Sequence, residues 1–441
     1  MSCNWSVKKL GDLVKFTSGG TPSKSNEAYW GGDIPWISAS SMDSTRYSES
    51  ELKVTTEGAK NGTRLVPKDT VLLLVRGGAL HNKIPVGITT REVTFNQDVK
   101  ALVPKTDEIT PWYLLFWLIS VKKTLLAKVE NTGIGAGKLD TKILQELEVP
   151  LPPKPELKRL EKFCKALDDK IILNADTNQT LEQMAQAIFK SWFVDFDPVK
   201  AKMNGEQPEG MDTATASLFP EKLVESELGL IPEGWEVGTL DSHTSMIIDH
   251  RGKTPKKLGS DWVEEGYPAI SAKNIKSKKI VRPDTIRFID EATYKKWMKE
   301  PLIKGDIIMT SEAPMGELYF FDGSEDFCLS QRLYGLRANS DVCSPEFLFN
   351  WLQTTKAKAD MEGRASGTTA LGIKQAELRK VKILTPPLEL LEKYSAVASN
   401  LVDMAAKNNA QNTVLEDLRD TLLPKLLSGE IELAEISKTI K

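Results

Sequence analysis

The sequence predicts an α+β fold in which two tandem globular domains are each followed by one long helix. Three observations lead to this prediction. The chain is an internal duplication, each copy begins with short β-rich runs, and each copy ends in a helical stretch with a heptad pattern. With 441 residues, the chain is long enough for two to three domains.

The duplication is visible as ordered matches at an offset of roughly 230–236 residues. From Gln97, which matches Gln331, the offset is a constant 234, because 331 minus 97 is 234. Such a series of ordered matches does not arise by chance. The other matches pair Thr21-Pro22 with Thr254-Pro255, Ile37–Ala39 with Ile270–Ala272, Pro111–Trp117 with Pro345–Trp351, and Pro152-Pro153 with Pro386-Pro387.

The repeat divides the chain into two globular domains, called head 1 and head 2 below, and their connecting segments. Short apolar runs such as Val71–Val75 and Ile307–Met309 predict strands within the heads. Each Pro-Pro pair predicts the start of a long helix. The predicted boundaries are 1–153 for head 1, 154–198 for the central long helix, 199–234 for a linker, 235–387 for head 2, 388–429 for the C-terminal long helix, and 430–441 for the tail.

Both long helices, predicted over about Glu156–Phe193 and Leu390–Leu427, carry apolar residues at alternating steps of four and three. This spacing is typical of a coiled coil. The seam positions are Leu160, Cys164, Leu167, Ile171, Leu181, Ala185, Ile188 and Trp192 in the first helix, and Tyr394, Ala398, Leu401, Ala405, Leu415, Arg419, Leu422 and Leu426 in the second.

Two asparagines interrupt the middle of each seam: Asn174 and Asn178, repeated as Asn408 and Asn412. One interpretation is a wet, weak stretch of helix. The other is control of register, because a buried asparagine penalises pairings that leave its amide without a partner. Antiparallel and parallel in-register pairing would both bring asparagine layers together, so this pattern alone leaves the direction open.

The composition is that of a globular protein without a basic excess. The net charge is −3, and no apolar run approaches the 18 residues of a membrane span. The four cysteines form no Cys-x-x-Cys pair, so we expect neither a zinc site nor disulfides, and a reducing cytoplasm. The acidic balance argues against nucleic-acid binding, but phosphate contacts need only a local basic stripe.

A search for catalytic motifs predicts a protein that is not an enzyme and has no metal site. The string Gly133–Lys138 has three residues between Gly133 and Gly137, where a P-loop has four between its glycines, and Leu139 follows the lysine where a P-loop has serine or threonine. A flexible loop facing DNA or a partner is the favoured interpretation. The three histidines have no metal-ligand spacing, and the two later ones, His243 and His250, are expected at the surface.

Three motifs and the duplication together resemble the specificity subunit of type I restriction–modification systems, over essentially the whole chain. The motifs are Phe189–Phe196 after the first long helix, Ser226–Trp235 at the entry to head 2, and Leu422–Gly429 at the close of the second helix. The resemblance implies two target-recognition domains at opposite ends of an antiparallel helical pair. Each would read one half of a split DNA sequence, and the helices would set the spacer.

The resemblance also implies partners: double-stranded DNA, two methyltransferase subunits and two endonuclease/translocase subunits. S-adenosylmethionine, ATP and Mg²⁺ would then belong to the partner subunits and no cofactor to this chain. Alternatives are a scaffold that organises partners without reading DNA and a catalytic methyltransferase or nuclease. Because Ser44–Gly62 and Arg76–Arg91 have little in common with Lys276–Lys299 and Ser311–Cys328, we predict two different half-sites.

Candidate DNA contacts are polar and basic residues in the predicted loops, chemically suited to base edges and phosphates. A plain solvated role is the alternative for each. An aromatic cluster, Phe189, Trp192, Phe193 and Phe196, is either a methyltransferase docking surface or an internal packing cluster. The DNA candidates are Ser18, Lys24, Ser40, Arg76, Asn96 and Lys138 in head 1, and Arg251, Lys253, Lys273, Asn274, Arg332 and Arg364 in head 2.

Overall fold

A computed structural model describes residues 5–132, 135–250, 252–367 and 371–431. The chain forms two compact units. Unit 1 contains the described residues up to Ala175 together with those from Asn409 onward, and unit 2 contains the described residues from Asp176 to Asn408. Each unit therefore holds one head and one half of each long helix.

Unit 1 is built from short strands and helices up to its first long helix, which continues into unit 2. The strands are β1 (Ser6–Lys9), β2 (Val14–Ser18), β3 (Trp30–Ile37), β4 (Arg46–Tyr47), β5 (Lys53–Val54), β6 (Arg64–Val66), β7 (Val71–Leu74), β8 (Arg76–Gly77), β9 (Val86–Thr89), β10 (Val93–Phe95), β11 (Val99–Pro104), β12 (Glu130–Asn131), β13 (Gly137–Lys138) and β14 (Glu148–Leu151). The helices are α1 (Leu10–Leu13), α2 (Thr56–Gly62), α3 (Pro111–Ser120), α4 (Lys122–Leu126), α5 (Thr141–Gln145) and α6 (Lys154–Phe193).

The main sheet of unit 1 has the order β2-β11-β7-β9-β4, and a second sheet has the order β5-β3-β10-β6. Strand β7 is apolar at every position and fully buried because it lies inside the sheet and is covered by α3. Helix α3 starts with Thr110 as N-cap and Pro111 in its first turn, and all residues from Tyr113 to Ile119 are buried.

Unit 2 repeats this plan after a short linker region. Its strands are β15 (Leu223–Ser226), β16 (Gly229–Pro232), β17 (Glu236–Thr239), β18 (Thr244–Asp249), β19 (Tyr267–Ile270), β20 (Ile275–Lys276), β21 (Lys279–Ile280), β22 (Arg287–Ile289), β23 (Ile307–Thr310), β24 (Leu318–Phe320), β25 (Cys328–Leu329), β26 (Leu333–Ala338) and β27 (Lys382–Thr385). Its helices are α7 (Asp197–Met203), α8 (Thr213–Ser217), α9 (Leu240–His243), α10 (Glu291–Trp297), α11 (Pro345–Trp351), α12 (Thr355–Arg364), α13 (Gln375–Leu378) and α14 (Leu388–Leu427).

The sheets of the two units correspond strand by strand. The order β18-β26-β23-β24 in unit 2 matches β2-β11-β7-β9 in unit 1, and β17 pairs with β27 as β1 pairs with β14. The parallel pair β19/β25 matches the parallel pair β3/β10. The duplication read from the sequence is therefore a duplication of structure.

The long helices α6 and α14 pair antiparallel within each unit. In unit 1, Ile171 accepts a hydrogen bond from Asn412, while Leu160, earlier in α6, packs in one cluster with Leu426, later in α14. In unit 2, Phe189 near the end of α6 contacts Tyr394 near the start of α14. The predicted α+β class with two tandem domains joined by two long antiparallel helices is confirmed.

Candidate nucleic-acid interface

In unit 1, the parallel strands β3 and β10 end side by side and bring three loops together. Phe95 pairs with Ile37 in the ladder, and the backbone N–H of Asn96 continues it by donating to the Ile37 carbonyl at 3.0 Å. The N–H of Gly20 donates to the Phe95 carbonyl at 2.9 Å. We call residues 18–21, 38–40 and 96–98 the strand-end site of unit 1.

The same junction exists in unit 2, where β19 and β25 are parallel. Leu329 pairs with Ile270, and the N–H of Ser330 donates to the Ile270 carbonyl at 2.8 Å. Residues 253–254, 271–273 and 330–332 form the strand-end site of unit 2, and all of them line one cavity of about 330 Å³. The matched Thr-Pro, Ile-Ser-Ala and Gln positions of the repeat thus converge on one place in each head.

The strand-end site of unit 2 is strongly cationic. Lys253, Lys273 and Arg332, all predicted from the sequence, line the cavity together with Arg287, which the sequence reasoning missed. The guanidinium of Arg287 lies 3.7 Å from the ring centroid of Trp262, which lines the same cavity. This stacking orients the guanidinium beside the cavity.

Two of these cations are held by the surrounding backbone and by an acid. The Lys253 ammonium donates to the Trp297 carbonyl at 2.9 Å. Arg332 has a left-handed backbone with φ of 68°, and its Nε lies 2.8 Å from an oxygen of Glu312. A non-glycine residue in this conformation costs about 1 kcal/mol or more and often marks a functional position.

The electrostatics of this region also affect a histidine. Burial and the nearby Lys253 lower the pKa of His250 to about 4. The pKa of His243 is lowered as well, chiefly by burial. The expectation that both histidines lie at the surface is wrong for His243, which is 1% exposed and whose Nε2 lies 3.0 Å from the Thr385 hydroxyl.

The strand-end site of unit 1 is polar and less charged. The Thr21 hydroxyl donates to Gln97 at 2.7 Å, and the Ser18 hydroxyl accepts from the Lys100 ammonium at 2.5 Å. The hydroxyl of Ser40 lies 3.0 Å from that of Ser38. Ser18, Ser40 and Lys24 are exposed. Serine, threonine and glutamine can both donate and accept hydrogen bonds.

Two further predicted residues lie next to the strand-end site of unit 1. Arg76 and Lys138 are paired in the ladder of β8 and β13, and the N–H of Arg76 donates to the Asp98 carbonyl at 3.3 Å. The Lys138 ammonium is 3.4 Å from Asp140, and Arg76 is exposed. The structure therefore gathers five of the six head 1 candidates along one edge of the domain, with Lys24 on the neighbouring loop.

Three head 2 candidates are placed differently. The amide of Asn274 is fully buried and is used inside the domain: it accepts from the Ser271 backbone at 3.1 Å and donates to Thr285 at 3.0 Å. Arg364 pairs with Asp360 at 2.8 Å. Arg251 lies outside the described residues.

Asn96 in unit 1 resembles Asn274 in being buried, at 7% exposure. Its Oδ1 accepts from the Asp98 backbone at 3.1 Å, and its amide nitrogen lies 3.4 Å from an Asp98 carboxylate oxygen. Both asparagines shape the loops of the strand-end sites and have no exposed amide for a base edge, so we leave them out of the set proposed below to contact DNA.

The asparagines of the long helices meet one another within each unit. In unit 1, the Asn174 amide donates to Gln411 and Asn412, both at 2.8 Å. In unit 2, Asn408 donates to Asn178 at 2.8 Å, and Asn178 donates to the Ala405 carbonyl at 3.2 Å. The side-chain amides thus satisfy each other across the antiparallel seam.

The aromatic cluster at the C-terminal end of α6 packs inside unit 2. Phe189, Trp192, Phe193 and Phe196 are all buried, and the rings of Phe193 and Phe347 are 4.9 Å apart. Of the two interpretations left open by the sequence, the structure shows internal packing. Because these side chains hold head 2 against the helices, a docking surface has to use other residues.

The chemistry available at the strand-end sites is that of binding. Cations, amides and hydroxyls are the donors and acceptors that contact phosphates and base edges. Among the described residues, no group of three histidine, cysteine or acidic side chains is arranged to hold a metal ion. No described helix is both long and apolar enough to cross a membrane. Fold and sites together define a duplicated binding protein with two recognition heads.

Comparison with known proteins gives this class a family. The type I restriction modification DNA specificity domain matches twice, at residues 3–183 and 232–416, one match for each head. The chain therefore belongs to the type I restriction–modification specificity family and is a specificity subunit with two DNA specificity domains, which acts with DNA and the other subunits of such a complex.

Two relatives and one solved structure illustrate the similarity. The MjaIX specificity subunit of Methanocaldococcus jannaschii is 27% identical and is aligned over 98% of this chain and 95% of its own length. The HindI specificity subunit of Haemophilus influenzae is 28% identical over 74% and 79% of the two chains. The crystal structure of an S subunit from M. genitalium has the same fold, with a TM-score of 0.54, 15% identity and 96% of each chain covered.

Proposed function

We propose that each strand-end site reads one half of a bipartite, asymmetric DNA sequence. The observation that carries this proposal is that equivalent loop junctions in the two heads present different side chains to solvent. Lys273 in unit 2 stands where unit 1 has Ser40, and Arg332 stands where unit 1 has Asp98. Different donors and acceptors at the same position select different bases.

In head 2, Arg332, Lys273 and Gln331 are proposed to contact base edges, while Lys253 and Arg287 contact phosphates. Arginine and lysine both suit the two acceptors of a guanine in the major groove, and either cation suits the phosphate backbone. In head 1, the exposed Ser40, Gln97 and Arg76 are the proposed base contacts. Ser18, Lys24 and Lys138 complete the proposed surface of head 1.

The paired asparagines are proposed to fix the register of the antiparallel helices and thereby the spacer between half-sites. For the methyltransferase subunits, we propose a docking surface on the outward faces of α6 and α14. Exposed apolar side chains there include Met184 at 48%, Met404 at 50% and Val414 at 65% exposure. Exposed apolar residues on a helical pair are suited to a protein partner. Two methyltransferase and two endonuclease/translocase subunits would supply S-adenosylmethionine, ATP and Mg²⁺.

The test is genome-wide mapping of methylated adenines in a host that expresses this chain with its cognate methyltransferase subunit. We expect a split, asymmetric motif that is absent without the chain. The variant Lys273→Ser, which installs the residue of head 1 in head 2, is expected to change one half of the motif only. If the complex assembles but no new methylated motif appears, the proposal that this chain reads DNA is contradicted. The function would then be that of a scaffold that does not read DNA.

A further inference from the structure

Unit 1 contains a second cavity, of about 470 Å³, between head 1 and the long helices. Four cations line it, Lys83, Lys122, Lys123 and Arg419, against two acids, Asp43 and Glu416. The remaining lining is largely apolar. We call it the basic cavity. None of the strand-end residues of unit 1 lines it.

Arg419 is out of place in the heptad pattern of α14. It occupies a seam position, and adding the offset of 234 to Ala185 shows that α6 has alanine there. The Arg419 side chain is only 10% exposed, and its Nε lies 2.8 Å from an oxygen of the exposed Asp420. A guanidinium covered in this way loses hydration and needs compensation.

A second cation, Lys122, lines the basic cavity together with Arg419. Lys122 begins α4 and is half-buried, and within the described residues its ammonium makes neither an ion pair nor a hydrogen bond. Burial lowers the pKa of Lys122, and the positive charges of Arg419 and Lys83 lower it further, while Asp420 and Glu416 act in the opposite direction. Four cations against two acids leave the lining with a positive excess, which destabilises the fold unless a bound anion offsets it.

In unit 2, the equivalent charged side chains have partners within the protein. The counterpart of Lys122 is Lys356, because 122 plus 234 is 356, and its ammonium donates to the Leu228 carbonyl at 2.7 Å. The counterpart of Glu416 is Glu182, which forms an ion pair with Lys278 of head 2. Among the described residues, the lack of a hydrogen-bond or ion-pair partner for this lysine is therefore a property of Lys122 in unit 1 and not of the shared fold.

We propose that the basic cavity binds a phosphate-bearing anion, held by Lys122 and Arg419 and attracted by Lys83 and Lys123. Phosphate fits this arrangement because it carries up to two charges and several acceptor oxygens that charged donors can share. The volume lies within the ~300–1,000 Å³ of small-molecule sites. The phosphate belongs either to a free small compound or to the backbone of bound DNA, since both present the same chemistry.

The first arm of the test uses the full-length protein and inorganic pyrophosphate, titrated by calorimetry at constant ionic strength. We expect Lys122→Gln and Arg419→Ala, which installs the residue of α6, each to weaken binding about tenfold. Lys128→Gln, an exposed lysine beyond the end of α4, is the matched control and should bind as the original protein does. Without ligand, Lys122→Gln should melt at the same or a higher temperature, because it removes an uncompensated cation.

The second arm measures duplex DNA affinity of the same variants in the assembled complex. Weaker pyrophosphate binding with unchanged DNA affinity identifies a free phosphate compound as the occupant. Weaker DNA binding, with Lys128→Gln unaffected, identifies a DNA phosphate. If Lys122→Gln and Arg419→Ala change neither affinity, the basic cavity is not an anion site. Because the basic cavity and the strand-end sites share no lining residue, that result would leave the reading proposal intact.

Discussion

The two strand-end sites have the same backbone and different chemistry. In both units a residue after the second parallel strand donates to the carbonyl that ends the first, at 3.0 Å for Asn96 and 2.8 Å for Ser330. Around this shared frame, unit 1 places hydroxyls and amides, whereas unit 2 places four cations and two tryptophans. The duplication therefore kept the backbone geometry of the two sites while their side-chain chemistry diverged.

The residues that support the central strand also differ between the units, with neutral groups in unit 1 and charged groups in unit 2. At the turn before the central strand, unit 1 has Thr70, whose hydroxyl donates to the Pro67 carbonyl at 2.9 Å. Unit 2 has Asp306, which accepts from the Ile303 backbone at 2.9 Å and from both Nε and a terminal nitrogen of Arg337, at 2.9 and 2.7 Å. Unit 2 thus depends on a buried ion pair where unit 1 uses neutral hydrogen bonds.

The largest expected effect is a loss of stability when the ion pair of unit 2 is removed. Asp306→Ala leaves the Arg337 guanidinium, 19% exposed, without its partner and should destabilise unit 2 by about 3–5 kcal/mol. Thr70→Ala in unit 1 should cost only about 1 kcal/mol because the lost bond is neutral. Urea unfolding followed by hydrogen exchange in each unit measures both values. Equal losses for the two variants would contradict the comparison.

A smaller effect concerns recognition. Arg332→Ala should weaken specific DNA binding of the assembled complex by about 1–3 kcal/mol and relax selectivity in one half-site only. Arg379→Ala is the control, because that arginine pairs with Asp241 and does not line the cavity. Binding to DNA libraries randomised in each half-site separates the two halves. Relaxed selectivity in both halves would show that the heads do not read independently.

The asparagine pairs allow the two units to be compared within the long helices. Asn178→Leu should destabilise unit 2 by about 1 kcal/mol, because Asn408 then loses the acceptor at 2.8 Å. The double variant Asn178→Leu with Asn408→Leu should recover that loss. A thermal-unfolding double-mutant cycle gives the coupling. Additive effects would mean that the two amides act separately, and the corresponding cycle in unit 1 uses Asn174 and Asn412.

The smallest expected effect is a response to acid confined to unit 2. The folded pKa of His250, about 4, lies below the unfolded value of about 6.5, so the unfolded chain binds the proton first as the pH falls. The stability that the neutral histidine contributes is complete above pH 6.5 and decreases toward pH 4. At pH 5 the loss is about 2 kcal/mol from the two pKa values alone and about 1 kcal/mol once solvent screening of this partly exposed side chain is included. His250→Gln should remove most of this dependence in hydrogen exchange of unit 2. A similar acid response in the variant would exclude His250 as the cause.

The sequence predicted the architecture because its signals are periodic or repeated. The heptad seam and the Pro-Pro pairs located both long helices to within two residues, at Lys154 instead of Glu156 and at Leu388 instead of Leu390. The repeat located the strand-end positions, since shared motifs mark the shared frame. Side-chain roles were harder, because burial is decided by tertiary packing: a loop asparagine such as Asn274 reads from sequence as an exposed contact and is a buried cap.

The residues that the sequence reasoning missed lie where the repeat gives no guide. Arg287 and Trp262 belong to stretches of head 2 without a matched counterpart in head 1, so only the fold brings them to the cavity. The aromatic cluster at the C-terminal end of α6 could not be assigned from its composition either, because docking surfaces and cores use the same side chains. Its partners Phe347 and Tyr394 come from distant segments.

The division of the chain between the two units also determines the order in which the heads can fold during synthesis. Unit 2 is one continuous stretch, whereas the core of unit 1 includes Leu423, Leu426 and Leu427 of α14. Head 1 leaves the ribosome before head 2. Its core nevertheless stays incomplete until Leu427 has left the exit tunnel. Head 2 is translated later and can close earlier, so nascent head 1 is the part that needs protection by chaperones.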